Sequence, residues 1–142
     1  MGAKHFFFYG TLLDRGVRRA VIGPPADRLE ALPAELHGWR RVRVRGKRYP
    51  VIVPAPGSVV DGCLFGPLPA SAVARLIRFE GPEYRLTEVE VLTGFGVPTA
   101  ARTFIGGVRI RPTMADWRFD DWRRKSRSVY LCGLDSRGSR SR

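Results

Sequence analysis

The side chains able to do chemistry in this 142-residue chain are few and widely spaced. His5 and His37 lie in strand-like contexts, and neither stands beside a Ser or Cys in a nucleophile-elbow sequence, so a hydrolytic triad has little support. Cys63 and Cys132 belong to no Cys-x-x-Cys pair or Cys/His cluster, which argues against a structural zinc site. Cys63, between Gly62 and Leu64, reads as a small buried hydrophobe in a reducing compartment. No phosphate-binding Gly-rich motif, dinucleotide fingerprint or zinc-protease motif is present. Two short segments remain. Tyr9-Gly10-Thr11-Leu12 follows an aromatic run, and Phe79-Glu80-Gly81-Pro82-Glu83-Tyr84 sets a carboxylate where a helix gives way to a strand, a corner suited to exposing a functional side chain. Taken singly, Glu80 is a solvated glutamate near a helix end and Gly10 an ordinary turn residue.

The elements that would position these segments follow from periodicity. Phe6-Phe7-Phe8-Tyr9, ending at Gly10, predicts a short central strand buried on both faces. Arg15 to Ile22 offers one or two helical turns before Gly23-Pro24-Pro25. From Glu30 to Phe65, apolar segments separated by Gly38, Gly46 and the stretch Pro54 to Ser58 predict three or four antiparallel strands. Within them Arg41-Val42-Arg43-Val44-Arg45 alternates with period two, which sends its arginines to solvent and its valines to the core. Apolar spacing over Ser71 to Phe79 predicts an amphipathic helix ended by Gly81-Pro82, followed by strands over Tyr84 to Leu92 and Ala100 to Ile105. Met114 to about Val129 reads as a helix anchored by Trp117 and Trp122. Asp116 and Asp120 lie toward its start, and Arg123, Arg124, Lys125 and Arg127 load its end, in accord with the helix dipole.

The length suits one sizeable core, so residues 1–134 are taken as one domain and the Ser/Arg/Gly ending, 135–142, as a disordered basic tail. The formal charge is +12, and that tail, with three Arg and one Asp, accounts for only two of the positive charges. Arg40, Arg41, Arg43, Arg45, Lys47 and Arg48 form a run with no acid between Leu36 and Val60. A charge run is usually a solvated face. With no aromatic-interleaved RNA-binding motif or helix-turn-helix beside it, specific nucleic-acid recognition is not expected, and non-specific phosphate contact stands as a competing reading. The chain has no apolar stretch near the ~20 residues of a membrane helix and no signal-peptide pattern, so no membrane partner and a cytoplasmic location are expected.

The two segments and what lies between them resemble the γ-glutamylcyclotransferase family in its broad sense, including γ-glutamylamine cyclotransferases and AIG2-like proteins. The resemblance rests on ordered matches over residues 6 to 92: Tyr9 to Leu12 for a Tyr-Gly-[Ser/Thr]-Leu loop, Tyr49-Pro50, the strand Val60-Asp61-Gly62-Cys63-Leu64-Phe65, and Leu76-Ile77-Arg78-Phe79-Glu80-Gly81 with Tyr84-Arg85. Two positions depart from the pattern: Ile77 stands where the family usually has Asp, and Phe104 where a strand Tyr is expected.

The resemblance implies an α+β fold, a small mixed β-barrel with flanking helices, whose pocket holds a γ-glutamyl group. It implies a reaction in which the substrate's α-amine attacks its own γ-carbonyl, expels an amine and leaves 5-oxoproline, with no cofactor and no metal. It puts Glu80 in the role of the catalytic acid/base and Tyr9, Gly10, Thr11 and Leu12 in the substrate-binding loop. One carboxylate suits such chemistry, because the ammonium must lose a proton before attack and the leaving amine must gain one. Tyr84 reads either as a pocket wall or as a core tyrosine. A module that keeps the pocket as a binding or sensor site without efficient turnover is the alternative, and the choice of γ-glutamyl compound and the oligomeric state stay open.

Overall fold

The aromatic run forms β1 (Phe6–Phe8). Its alternating side chains enter two different cores. Phe7, with Tyr9 just past the strand, packs among Leu36, Ile52, Val60 and Val91, while Phe6 and Phe8 pack among Val17, Phe65, Leu76 and Phe79. Burial on both faces is what permits a continuous apolar strand without polar alternation, and each such ring stabilises the fold by roughly 1.5–3 kcal/mol.

A computed structural model describes residues 5–94 and 96–137. Around β1 run β2 (Leu32–Val44), β3 (Pro50–Phe65), β4 (Tyr84–Thr93) and β5 (Val97–Gly106), in the order β3-β1-β5-β4-β2, and the pairing of β2 with β3 closes the ring. β1 is antiparallel to β3 and parallel to β5, and the other neighbours are antiparallel. The result is a closed five-stranded mixed barrel in an α+β fold, with β6 (Pro112–Asp116) added along the far half of β2. Among the described residues four α-helices flank it: α1 (Arg15–Ile22), α2 (Ala70–Glu80), α3 (Phe119–Lys125) and α4 (Arg127–Arg137). β1 and β3 approach closely at Gly62, where a Cβ would lie 2.4 Å from the Phe8 carbonyl oxygen.

Four expectations need correction. The three or four strands between Glu30 and Phe65 are two long ones, because Gly38 (φ 88°) and Gly57 (φ 85°) act inside strands and not between them. The register shifts between His37 and Trp39, as at a bulge, and only Gly46 (φ 72°) turns the chain back. The single helix from Met114 is instead β6, then α3, then α4, with a break at Ser126. The far half of β2 offers ladder hydrogen bonds to Pro112–Asp116, and these override local helical propensity while Trp117 and Trp122 still anchor the segment as buried rings. Val42 and Val44 are buried and Arg43 and Arg45 exposed, but Arg41 is not solvated: it donates to the Asp61 carboxylate at 2.7 Å and to the Tyr9 carbonyl at 2.9 Å. Finally, α4 runs through Arg137, into the segment expected as a tail; residues 138–142, like residues 1–4, lie outside the described residues.

Cys63 is half-buried against the helix-side core, and burial pushes its thiol up from the ordinary value, against a smaller opposing pull from Arg18. Cys132 is exposed. Iodoacetamide near neutral pH is therefore expected to modify Cys132 at least about tenfold faster than Cys63. Peptide mass mapping over a labelling time course checks this, and preferential labelling of Cys63 would contradict the burial argument.

Candidate functional site

At the end of β1 the chain makes one 3-10 turn over Thr11–Leu13, closed by hydrogen bonds from the Leu13 and Asp14 amides to the Gly10 and Thr11 carbonyls, both 3.0 Å. Gly10 is required by proximity: a Cβ there would sit 2.9 Å from Pro50 Cγ. The first amides of such a turn have no acceptor within it, and Gly10 has no side chain to cap them. They form a small array of donors at the end of the strand.

Several side chains hold this turn from behind. Arg18, on α1, donates to the Leu12 and Leu13 carbonyls at 3.0 and 2.8 Å, and its guanidinium lies 4.5 Å from the Phe65 ring centre. Burial pushes the Arg18 pKa down while Asp14 beside it pulls up, and a guanidinium stays charged under both influences. Asp14 accepts from the Val17 amide as the N-cap of α1 and from Arg127 Nε of α4 at 2.7 Å. The Thr11 and Tyr130 hydroxyls share a hydrogen bond of 3.2 Å. The turn is thus tied to α1, β2 and α4. Tyr130→Phe removes one of those ties, so amide exchange over residues 10–13 is expected to speed up while unfolding free energy falls by only about 1 kcal/mol. Unchanged exchange there would show that the other ties suffice.

Glu80 is the last residue of α2, held by Leu76 and Phe79 in the core and released by Gly81 at φ 82°. It is only 7% exposed, unusual for a carboxylate, since glutamate is rarely so buried unless it is paired or functional. Ile77, three residues earlier on the same helix, is 48% exposed and does not line the concavity that Glu80 lines. Glu83 lies beyond the helix end and outside the concavity that Glu80 lines.

That concavity is lined by Glu80, Tyr84 and the stretch from Tyr9 to Leu12, together with Pro50, Thr103 and Phe104. Tyr9, Gly10, Thr11, Leu12, Glu80 and Tyr84 therefore line one concavity, from elements about seventy residues apart. The Tyr84 hydroxyl donates to the Pro50 carbonyl at 2.9 Å, and its ring meets that of Tyr49 edge-on. The Tyr9 hydroxyl donates to the Phe104 carbonyl at 2.6 Å, so Phe104 serves the site through its main chain. Thr103, which carried no sequence signal, is fully buried and donates to the Phe7 carbonyl at 2.8 Å. Arg18, Arg41 and Tyr130 were equally silent as supports of the turn. His37 pairs with Glu35 on the surface, away from the concavity. The enclosed volume is about 20 Å³, enough for about one water-sized group by the same measure.

Among the described residues no group of three or more His, Cys, Asp and Glu side chains is gathered to hold a metal, and no helix is long and apolar enough to cross a membrane. A family model for γ-glutamyl cyclotransferase, AIG2-like proteins matches residues 6–124. Among curated relatives, protein AIG2 B of Arabidopsis thaliana is 30% identical over 83% of this chain and 69% of its own, and protein AIG2 C of the same plant is 28% identical over 85% and 73%. A solution structure of an Arabidopsis thaliana protein superposes with a TM-score of 0.68 at 24% identity, covering 92% of this chain and 89% of that one. A structure described as a γ-glutamyl cyclotransferase gives 0.65 at 19% identity over 76% and 68%, a likeness of fold alone.

Proposed function

The chain belongs to the γ-glutamyl cyclotransferase, AIG2-like family, and from that membership and the concavity we propose that it releases 5-oxoproline from a γ-glutamyl amine or peptide. The observation that carries this reading is a buried glutamate sharing one concavity with an uncapped turn of amides. In the proposed sequence the Glu80 carboxylate takes a proton from the substrate's α-ammonium. The freed nitrogen attacks the γ-carbonyl carbon and closes a five-membered ring, and the carbonyl oxygen gathers negative charge. Amides of the turn from Gly10 to Leu12 are the donors that would meet that charge. As the ring's carbonyl re-forms, the bond from the γ-carbon to the leaving nitrogen breaks and Glu80 returns its proton to that nitrogen, while the second proton of the attacking nitrogen passes to the departing amine or to solvent, leaving a neutral lactam. Ring closure needs no protein nucleophile, only a substrate held in a near-attack conformation between the walls at Tyr9 and Tyr84.

The departures from the family pattern at Ile77 and Phe104 leave a second reading, a module that binds a γ-glutamyl group without turning it over; in either case the narrow concavity has to open to admit that group. One experiment separates them: the full chain is offered a panel of γ-glutamyl amines, amino acids and peptides, with 5-oxoproline release and binding both measured. Release from at least one compound is the expected result. Binding without release installs the second reading, and the absence of both removes the site assignment altogether.

A further inference from the structure

A second concavity, of about 130 Å³, lies between the β2–β3 turn and α3, and shares no lining residue with the first. Its walls carry Arg43 from β2, Lys47 and Arg48 from the turn, Arg118 from the link after β6, and Lys125 from α3. Two carboxylates also line it, but Asp116 is bonded to Arg40 at 2.9 Å and Asp121 to Arg124 one turn along α3. Among the described residues none of the five cations has an ion pair or side-chain hydrogen bond. Crowding like charges around one cavity destabilises the fold unless something negative relieves it.

The floor supplies an independent observation. Trp117 and Trp122 both line this concavity, and the Trp117 indole N–H donates to the Arg48 carbonyl at 3.0 Å. Trp122 is only 3% exposed, yet its indole nitrogen has no hydrogen-bond partner among the described residues. An indole N–H is a donor only, and a buried donor without an acceptor is a standing penalty that an incoming oxygen anion removes.

We propose that this concavity is an anion site that takes a phosphate group, either free as phosphate or pyrophosphate or carried on a small organic ligand. Arginines from separate elements approach the group with forked donors, the lysines add point charge, and the Trp122 N–H accounts for one further oxygen. A nucleic-acid backbone is the poorer fit, because it presents one charge per phosphate along an extended track, whereas these five cations line one small cavity from four segments of the chain. A carboxylate offers two coplanar oxygens where a phosphate offers three or four in a tetrahedron.

The test uses the full chain at about 150 mM salt, where screening confines exposed charges to a range of about 8 Å. Inorganic phosphate, pyrophosphate, a sugar phosphate, citrate and short and long DNA duplexes are titrated in turn. The readout is the indole N–H proton resonance of Trp122, identified by its loss in Trp122→Phe. A saturable shift with pyrophosphate or phosphate is expected, and a tighter response to the sugar phosphate would show that the group is carried on an organic ligand. Lys47→Glu with Lys125→Glu should weaken pyrophosphate binding by at least about tenfold, and the milder Arg43→Gln with Lys125→Gln guards against misfolding of the reversal variant. Arg109→Glu with Arg111→Glu changes net charge equally at exposed positions outside the concavity and should leave affinity within about twofold. Equal losses in both charge-reversed proteins, citrate binding as tightly as pyrophosphate, a response only to duplexes that grows with their length, or no response to any phosphate would each overturn the proposal.

Discussion

Glu80→Gln is expected to lower turnover of a γ-glutamyl compound by at least about a hundredfold while the affinity for that compound changes little, since a positioned acid/base group typically contributes about 10²–10⁴-fold. The amide keeps the size of the carboxylate and most of its hydrogen bonding, so the packing of a residue that is 7% exposed is retained. What it loses is the ability to take a proton near neutral pH, and the proposed cycle has that one group take a proton as base and give it back as acid. Both steps therefore fail together, with no second carboxylate among the described residues that line the concavity to substitute. Glu83→Gln is the matched control: it lies three residues on, outside that concavity, and its backbone carbonyl, which accepts from the Gly107 amide at 2.8 Å, is untouched by the change. A Glu80→Gln protein that still releases 5-oxoproline at the parent rate, or a Glu83→Gln protein that does not, would remove Glu80 from its role. Loss of affinity along with turnover would point instead to a binding contact made by the carboxylate.

The parts of the fold legible in the sequence are those where local pattern and tertiary demand agree. Four consecutive aromatic residues admit few places other than a strand covered on both sides, and Gly81-Pro82 leaves α2 little choice but to stop after Glu80. The misread parts are those where a residue does something other than its commonest local task. Gly38 and Gly57 bend strands that sequence alone breaks in two, and Pro112–Asp116 pairs with β2 because an open ladder lay waiting, which no window of local sequence reports. Arg41 has the alternation of a surface residue, yet the barrel rim brings the Tyr9 carbonyl and Asp61 within reach of its guanidinium. The site divides in the same way. Its lining at Tyr9 to Leu12, Glu80 and Tyr84 sits in contiguous motifs and could be read. Its supports Thr103, Arg127 and Tyr130 act across 96 to 119 residues of chain, and Arg18 reaches back to main-chain carbonyls five and six residues away, so none is marked by a contiguous motif.

Gly62→Ala carries the largest expected cost in stability, at least about 3 kcal/mol, the upper end of what overpacking ordinarily does. The added methyl would lie 2.4 Å from the Phe8 carbonyl oxygen and 2.8 Å from the Phe7 ring, against 3.4 Å or more for ordinary contact. A flexible side-chain end could swing away from such an intrusion. A main-chain carbonyl in the middle of a closed barrel cannot, because Phe8 is registered opposite Cys63 and Phe7 opposite Leu64 in the β1–β3 ladder. Relief therefore requires β1 to shift, and β1 is where both cores meet and where the turn at Gly10 begins. The expectation is a lower urea midpoint with an unchanged slope, and in the protein that stays folded a displaced turn, seen as altered amide resonances from Tyr9 to Leu12. A urea midpoint equal to that of the parent would show that the β1–β3 spacing relaxes without cost, and that the close approach at Gly62 is no constraint on the site. Gly57→Ala is the comparison, since that glycine has φ 85° but nothing within 4 Å of its Cβ position. It should lose only the smaller cost of a left-handed backbone, about 1–2 kcal/mol, which isolates the steric part of the effect at Gly62.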